Sequence, residues 1–168
     1  MNFELTEEQR LLQKSVREFA KSEVEPLAKQ LDETGHFPHE TFRKAAALGL
    51  TFPDAEGGAG FDHVAYTIVI EEISRCCAST GAILAGQNSL YCDPIHRFGN
   101  EEQKKKFLLP FARGQKIGCF ALTEPQAGSN AAALQTRTVR RGDTYVLNGT
   151  KAWVTNGGVA DAALNAEL

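Results

Sequence analysis

The sequence predicts an α+β protein, in which an all-helical amino-terminal domain is followed by the start of an antiparallel β-barrel or β-sandwich domain. Two observations predict this class. Up to about residue 113, apolar residues recur every three or four positions, which is the period of amphipathic helices. After Gly114, short runs of β-branched and aromatic residues replace that period. The change predicts a helical domain over residues 1–114 and the first part of a β domain over residues 115–158.

Capping residues predict where the individual helices begin. Thr6 and Asn100 each open a capping box, in which the side chain of the third helical residue also bonds back to the cap. Asp62 and Ser79 precede two helices that are nearly apolar around their circumference, so these helices are expected at the centre of a bundle. Pro26 is expected to kink or interrupt the first helix, because its ring clashes with the preceding turn.

The β segment is predicted from an apolar run over residues 117–122 and from β-forming residues on both sides of a turn at 141–143. The abrupt change of period at Gly114 also predicts that the helical domain folds independently of the β segment.

Composition and charge argue against several classes of protein. The chain has 168 residues, of which 42% are hydrophobic and 23% charged, a balance typical of a globular domain with a core. Eighteen Lys and Arg against twenty-one Asp and Glu give a net charge of -3, so nucleic acid is not an expected partner. No apolar stretch has the length of a membrane span, and the first residues carry no leader pattern. A cytoplasmic protein or a processed organellar chain is therefore expected.

The four cysteines are predicted to be reduced thiols, since none forms a C-x-x-C pair. His96 follows Cys92 by one helical turn, but two ligands do not make a zinc site. No metal-binding residue is predicted.

Two segments of the β region carry residue types that suit a planar polar cofactor. Residues 120–130 combine apolar side chains, the hydroxyl of Thr123, and Gly128 and Ser129, whose backbone amides can approach an anion. Residues 147–157 contain the single tryptophan of the chain beside hydroxyl groups. Taken singly, each segment is also explained by an ordinary turn or by core packing.

Taken together, the two segments resemble the flavin-binding signature of the acyl-CoA dehydrogenases, with the spacing found in that family. The resemblance covers nearly all of the chain from Phe3 to about Gly158. Further matching segments are residues 57–60, 71–75, 78–81, 88–90, 98–99, 102–104 and 109–110. Residues 76–81 and 116–122 are most similar to the short-chain, butyryl-type members.

The resemblance implies an FAD-dependent dehydrogenase that converts a short-chain acyl-CoA to a trans-2-enoyl-CoA, in fatty-acid or amino-acid breakdown. The residues it assigns to FAD are Phe120, Leu122, Thr123, Gly128, Ser129, Trp153, Val154 and Thr155. Those assigned to the acyl-CoA are Ser129, Ala85, Gly86 and Leu90. Thr155 is expected near flavin N5, and Trp153 is expected to be a large buried contact. An electron-transfer flavoprotein is implied as the electron acceptor, and the full-length protein is expected to be a homo-oligomer in the bacterial cytoplasm or the mitochondrial matrix.

Three departures from the family pattern qualify this expectation. Gln126 replaces a usual Gly and Asn130 replaces a usual Asp, which removes a carboxylate that could hold the loop by charge-assisted bonds. Family chains are roughly twice as long and end in a helical bundle of domain size. The match decays in the tail 159–168, and the family's catalytic Glu lies beyond residue 168. An amino-terminal fragment without its catalytic base, inactive alone, is therefore expected.

Two alternatives stay open on sequence grounds. The chain could be a non-catalytic helical fragment that binds acyl-CoA or a partner protein. It could also belong to an acyl-CoA oxidase or another flavin relative, which would differ in how the reduced flavin is reoxidised.

Overall fold

A computed structural model describes residues 4–51 and 62–167 of the chain, in which helices come first and strands follow. The α-helices are α1 (Glu7–Phe19), α2 (Glu25–Thr34), α3 (His39–Ala47), α4 (His63–Cys76), α5 (Ala78–Ala85), α6 (Asp93–Phe98), α7 (Glu101–Gln103) and α8 (Leu109–Ala112). The π-helical segments are π1 (Ala20–Val24), π2 (Gly86–Cys92) and π3 (Lys104–Leu108), and a 3-10 turn covers Ala131–Ala133. The strands are β1 (Gly118–Ala121), β2 (Arg137–Arg141), β3 (Thr144–Asn148) and β4 (Ala162–Asn165). Within these ranges, none of the helices has the length and apolar character to cross a membrane.

Three of the predicted helix caps are confirmed. The Thr6 hydroxyl accepts a hydrogen bond from the Gln9 amide at 3.2 Å, and the Gln9 side chain accepts from the Thr6 amide at 3.1 Å. Asn100 opens a second complete capping box. The Asp62 carboxylate accepts from the Ala65 amide at 2.7 Å. These caps depend on residues within one turn, so the local sequence was sufficient to predict them.

The predicted cap at Ser79 is wrong. Helix α5 begins after Cys77, whose extended backbone (φ -153, ψ 107) breaks the path of α4, and no side chain caps it. The two helices then pack very closely, because a Cβ atom on Gly81 would lie 1.9 Å from the hydroxyl of Ser74. The position of this helix start is thus set by the turn between the two helices, and Ser79 is already inside the first turn of α5.

Each π-helical segment leads directly into an α-helix whose second residue is proline: Pro26, Pro94 and Pro110. Proline has no amide proton, and its ring clashes with the carbonyl group four residues earlier. A π-type turn widens the helix and moves that carbonyl aside. The interruption predicted at Pro26 is therefore a widened turn through which the helical path continues.

Two apolar clusters form the core. The first joins side chains of α1, π1, α3, α4 and α5 to two residues outside the helices and comprises Val16, Phe19, Ala20, Val24, Phe42, Ala45, Leu50, Val69, Ile73, Leu84 and Ile117. The second joins π2 to α6, π3 and α8 and comprises Tyr91, Cys92, Ile95, Leu108, Phe111 and Ala112. At the edge of the first cluster, Arg17 of α1 donates to both carboxylate oxygens of the buried Glu72 of α4, at 2.9 and 2.6 Å. Helical packing thus accounts for most of the buried apolar surface in the described residues.

The four strands form two separate pairs in the described part of the chain, and they do not close a barrel. Strands β2 and β3 form the predicted antiparallel hairpin, and Gly142 adopts a left-handed φ of 62° in its turn. Strands β1 and β4 pair in parallel, with Gly118 opposite Ala162, so the antiparallel arrangement expected of the whole β segment does not hold for this pair. The long crossover between β1 and β4 permits this direction, since parallel neighbours need such a connection. Strand β4 lies within the tail 159–168 that was expected to depart from the family.

Strand β1 is joined to the helices through Gln87 of π2, which is completely buried. The Gln87 side-chain oxygen accepts from the Gly118 amide at 2.8 Å, and its nitrogen donates to the Phe111 carbonyl at 3.0 Å. A Cβ atom on Gly118 would lie 2.2 Å from the ring of Tyr91, so the strand packs directly on π2. Independent folding of the helical domain stays a prediction. A domain truncated after Gly114 would leave Gln87 and Tyr91 without Gly118, although Gln87 would keep its bond to the Phe111 carbonyl.

Candidate functional site

A cleft of about 190 Å³ lies where the end of β1, the segment after Lys151 and the helical segment π2 meet. Its lining residues are Gly86, Leu90, Phe120, Leu122, Thr123, Ala152, Trp153 and Thr155. All of them except Ala152 were predicted to contact FAD or acyl-CoA. The fold thus brings together, from three separate segments, residues that the sequence had assigned to one site.

The cleft has a first wall formed by residues 120–123, a second wall formed by residues 152–155, and a floor formed by π2. The two walls are joined by backbone and side-chain contacts. The Ala152 amide donates to the Thr123 carbonyl at 2.8 Å, which links the segment 120–130 directly to the segment 147–157. On the floor, a Cβ atom on Gly86 would lie 3.3 Å from the methyl group of Thr155, so a larger residue would press on this wall. The Asn156 side chain donates to the Gly118 carbonyl at 3.3 Å and holds the second wall against β1.

Trp153 stands at the rim of the cleft and is 92% exposed in this chain. Its role as a large buried contact in the full-length protein stays a prediction. Its backbone adopts a left-handed φ of 56°, which is strained for a bulky residue and costs about 1–3 kcal/mol. Strained backbone conformations of this kind cluster at active sites and ligand-binding sites. The indole ring is therefore available to a bound molecule rather than to the core.

Four predicted site residues do not line the cleft. Gly128 and Ser129 lie in an exposed turn, and a Cβ atom on Gly128 would have no neighbour within 4 Å. Val154 lines a different groove, which Phe37 also borders. Ala85 precedes the cleft residue Gly86 but is not itself in the lining. The roles assigned to these four residues stay predictions.

Glu124 is the centre of a buried polar network that sequence reasoning missed. Its carboxylate, 2% exposed, accepts from the amides of Gln135 at 2.7 Å and Thr136 at 2.9 Å, from the Thr136 hydroxyl, and from the Gln126 side chain at 2.6 Å. The Lys151 ammonium donates to it at 2.8 Å. Lys151 first, and then Thr136, hold the pKa of Glu124 well below its usual range. Glu124 is thus a fixed anion and not a proton acceptor, while Gln126 adds a contact that helps to hold the loop.

Lys151 donates three hydrogen bonds within this network, one for each proton of its ammonium group. Besides Glu124, it donates to the Leu122 carbonyl at 3.1 Å and to the Ala166 carbonyl at 2.6 Å. Glu124 and Lys151 are separated by 27 residues, and no sequence motif with that spacing indicates an ion pair. Only the folded chain shows that they are paired.

Burial favours the protonated form of the two thiols near the site. Cys92 and Cys119 are buried, and burial raises the pKa of Cys92 to about 12 and also raises the pKa of Cys119. The described residues contain no group of three or more side chains that could hold a metal ion. The chemistry available at the cleft is therefore that of hydroxyl groups, backbone amides and apolar surfaces.

Comparison with known proteins covers nearly all of the chain. The family described as "Acyl-CoA dehydrogenase, N-terminal domain" matches residues 6–115, and "Acyl-CoA dehydrogenase, middle domain" matches residues 119–166. The short-chain specific acyl-CoA dehydrogenase of Clostridium acetobutylicum is 49% identical over 164 residues, which are 96% of this chain and 43% of that protein. The chain thus spans less than half the length of this relative.

Solved structures give the same result. Butyryl-CoA dehydrogenase from Megasphaera elsdenii superposes with a TM-score of 0.90 at 36% identity, covering 98% of this chain and 45% of that one. Glutaryl-CoA dehydrogenase from Mycobacterium smegmatis, solved in complex with FADH2, superposes with a TM-score of 0.91 at 36% identity, covering 95% and 42%. With two family domains matched in order along its length, the chain belongs to the acyl-CoA dehydrogenase family.

Proposed function

We propose that this chain supplies the flavin-facing part of an FAD-dependent acyl-CoA dehydrogenase, which converts a short-chain acyl-CoA to a trans-2-enoyl-CoA. The observation that carries the proposal is the cleft, in which the end of β1 and the segment 152–155 meet on π2. The family membership supports the same reaction. The proposal divides the chain into a helical domain over 1–114, the first part of a β domain over 115–158 and a tail over 159–168, with the cleft at the junction of the first two.

The cleft suits the ring system of FAD better than the whole cofactor. Its volume of about 190 Å³ is below the roughly 300–1,000 Å³ of pockets that enclose drug-sized ligands. Phe120 and Leu122 offer apolar surface to a planar ring, and Thr123 and Thr155 offer hydroxyl groups to its polar edge. Trp153 at the rim would cover one side. When bound, FAD supplies the acceptor of the substrate hydride, and these residues orient it.

The acyl group is proposed to lie along π2, where Gly86 and Leu90 line the cleft and Ala85 lies next to it. Small residues at 85 and 86 leave room beside the ring, and Ser129 is proposed to contact the acyl-CoA from the exposed turn. The relatives named short-chain specific and butyryl-CoA dehydrogenase support a short acyl chain.

The catalytic base is proposed to come from the part of the family's length that residues 1–168 do not span. A general base must lie within hydrogen-bond reach of the proton that it removes and must be able to accept it. Glu124 does not meet this condition, because its five hydrogen-bond donors hold it as a buried anion. Residues 1–168 alone should therefore not reduce flavin with substrate.

An electron-transfer flavoprotein is the proposed electron acceptor, and a homo-oligomer in the bacterial cytoplasm or the mitochondrial matrix is the proposed state of the full-length protein. Nucleic acid is not a proposed partner. The alternative is a non-catalytic fragment that binds acyl-CoA or a protein partner. Binding of butyryl-CoA, measured by calorimetry, without any binding of FAD would favour this alternative.

The test is to measure the FAD affinity of the chain by flavin fluorescence anisotropy. Thr155→Val and Trp153→Ala should each weaken binding about tenfold, since a lost hydrogen bond or stacking contact costs about 1–3 kcal/mol. Because Trp153 is 92% exposed, Trp153→Ala should leave the melting temperature unchanged. Thr67→Val is the matched control, because its hydroxyl donates to the His63 carbonyl on α4, outside the cleft. Equal FAD affinity in all four proteins would overturn the placement of the flavin.

A further inference from the structure

We propose that the Glu124–Lys151 pair positions the two walls of the cleft and thereby sets the geometry in which the flavin ring is held. The inference rests on the proposed function of the cleft as the flavin-ring site. Neither residue lines the cleft, so both act through other residues.

The Nζ atom of Lys151 connects three separate segments of the chain. It donates to the carbonyl of Leu122, which precedes the cleft residue Thr123 in the first wall. Lys151 itself directly precedes Ala152 and Trp153, which belong to the second wall. Besides its bond to Glu124, Nζ also donates to the Ala166 carbonyl, which lies just beyond β4, and β4 pairs with β1. One ammonium group therefore fixes the distance between the walls and anchors both to the sheet.

Glu124 fixes the ammonium group in turn. The carboxylate is held by the backbone amides of Gln135 and Thr136, immediately before β2, so it cannot swing with the loop that carries it. The side chains of Glu124 and Lys151 are 2% and 11% exposed, which protects their interaction from solvent. Two opposite charges in such surroundings hold a single geometry, because separating them would leave each charge buried and unpaired.

This geometry matters because a binding site tolerates little displacement of its contacting groups. The hydroxyls of Thr123 and Thr155 lie on opposite segments, and both must meet the polar edge of one rigid ring. A misplacement of about 1 Å in such a site lowers activity by as much as about a hundredfold. The pair therefore determines affinity for the ring without touching it.

Three variants separate positioning from general stability. Lys151→Met has a similar length but loses all three donors, and Lys151→Arg keeps the charge but offers a planar set of donors in place of a tetrahedral one. Glu72→Gln is the matched control, since Glu72 is also 2% exposed and paired with arginines, Arg17 and Arg75, but it joins α1 to α4. Two quantities are measured below the melting temperature of each protein: the FAD dissociation constant, and the fluorescence anisotropy of Trp153 without FAD. Trp153 is the single tryptophan and lies two residues after Lys151.

Lys151→Met should lower the Trp153 anisotropy and weaken FAD binding about tenfold, and Lys151→Arg should change both in the same direction by a smaller factor. Glu72→Gln should lower the melting temperature and change neither quantity. Wild-type values of both quantities in Lys151→Arg and Lys151→Met would overturn the proposal, as would equal changes in Glu72→Gln. If Lys151→Met does not fold, Lys151→Arg decides. If residues 1–168 alone hold too little FAD for a dissociation constant to be measured, the Trp153 anisotropy decides whether the pair positions this wall.

Discussion

The helical region and the strand region of this chain are held together by different forces. In the helical region, α1, π1, α4 and α5 bury a continuous apolar cluster in which Ile73 is completely inaccessible to solvent. In the strand region, β2 and β3 are mostly exposed, and Val139, Tyr145 and Leu147 are each more than half exposed. The segments around these strands are held instead by the buried charges of Glu124 and Lys151.

This difference explains why the cleft is built at the boundary of the two regions. Apolar packing is non-directional, so it gives a firm floor such as π2 but does not fix the angle of a hydroxyl group. Hydrogen bonds between buried charged groups are directional. We propose that they fix the position of the two segments that contain Thr123 and Thr155. The floor of the cleft thus depends on burial and its walls on polar contacts.

The largest expected effect is the loss of a core side chain. Ile73→Ala should lower the free energy of unfolding by about 2–5 kcal/mol, because it leaves a cavity in a fully packed cluster. Val139→Ala in β2 should change it by less than about 0.5 kcal/mol, since Val139 is 51% exposed. Urea denaturation followed by circular dichroism measures both. Equal effects would mean that the strand region also depends on apolar burial.

The junction of the two regions gives the next largest effect. Gly118→Ala should lower the free energy of unfolding by about 1–3 kcal/mol, since the new methyl group would lie 2.2 Å from the ring of Tyr91. Gly128→Ala is the control, because a Cβ atom there meets nothing within 4 Å. The same denaturation experiment applies. A Gly118→Ala protein as stable as Gly128→Ala would show that β1 does not pack firmly on π2.

The smallest expected effect is a difference in acid sensitivity. The pKa values of Glu72 and Glu124 are both depressed, chiefly by hydrogen bonds from Arg17 and Lys151 respectively. Each carboxylate therefore adds stability that is complete above its unfolded pKa of about 4.3 and is lost as the pH falls through the folded pKa. Glu124→Gln should remove the dependence of the Trp153 anisotropy on acid pH. Glu72→Gln should reduce the acid dependence of the helical circular dichroism signal and leave that of the Trp153 anisotropy unchanged. An acid profile of Trp153 that is the same in wild type and Glu124→Gln would contradict this assignment.

Predictions from sequence succeeded where the interaction is local. The capping box at Thr6 and the cap at Asp62 involve partners three residues away, and the hairpin turn at Gly142 joins adjacent strands. The prediction at Ser79 failed although it was also local, because the backbone turn at Cys77 had already started α5. A capping residue shows that a helix can start at its position, but the packing of the neighbouring helix decides whether it does.

The site shows the same division. The resemblance in sequence identified most of the residues that line the cleft, among them Phe120, Thr123 and Thr155. It did not show that Trp153 is exposed, because solvent exposure depends on what packs against a residue and not on its type. Nor did it show the role of Lys151, whose three acceptors come from distant parts of the chain.

The sequence by itself determined the helical period, the main caps and the change to strands after Gly114, and its resemblance to a family indicated most of the cleft residues. These features follow from residues within a few positions of one another or from motifs that are contiguous in the chain. Only the tertiary structure decided that β1 and β4 run parallel, that Gln87 joins strand to helix, and that Glu124 and Lys151 pair. The physical reason is that each of these contacts closes a loop of more than twenty-five residues, and its energy depends on burial that exists only after the whole chain has folded.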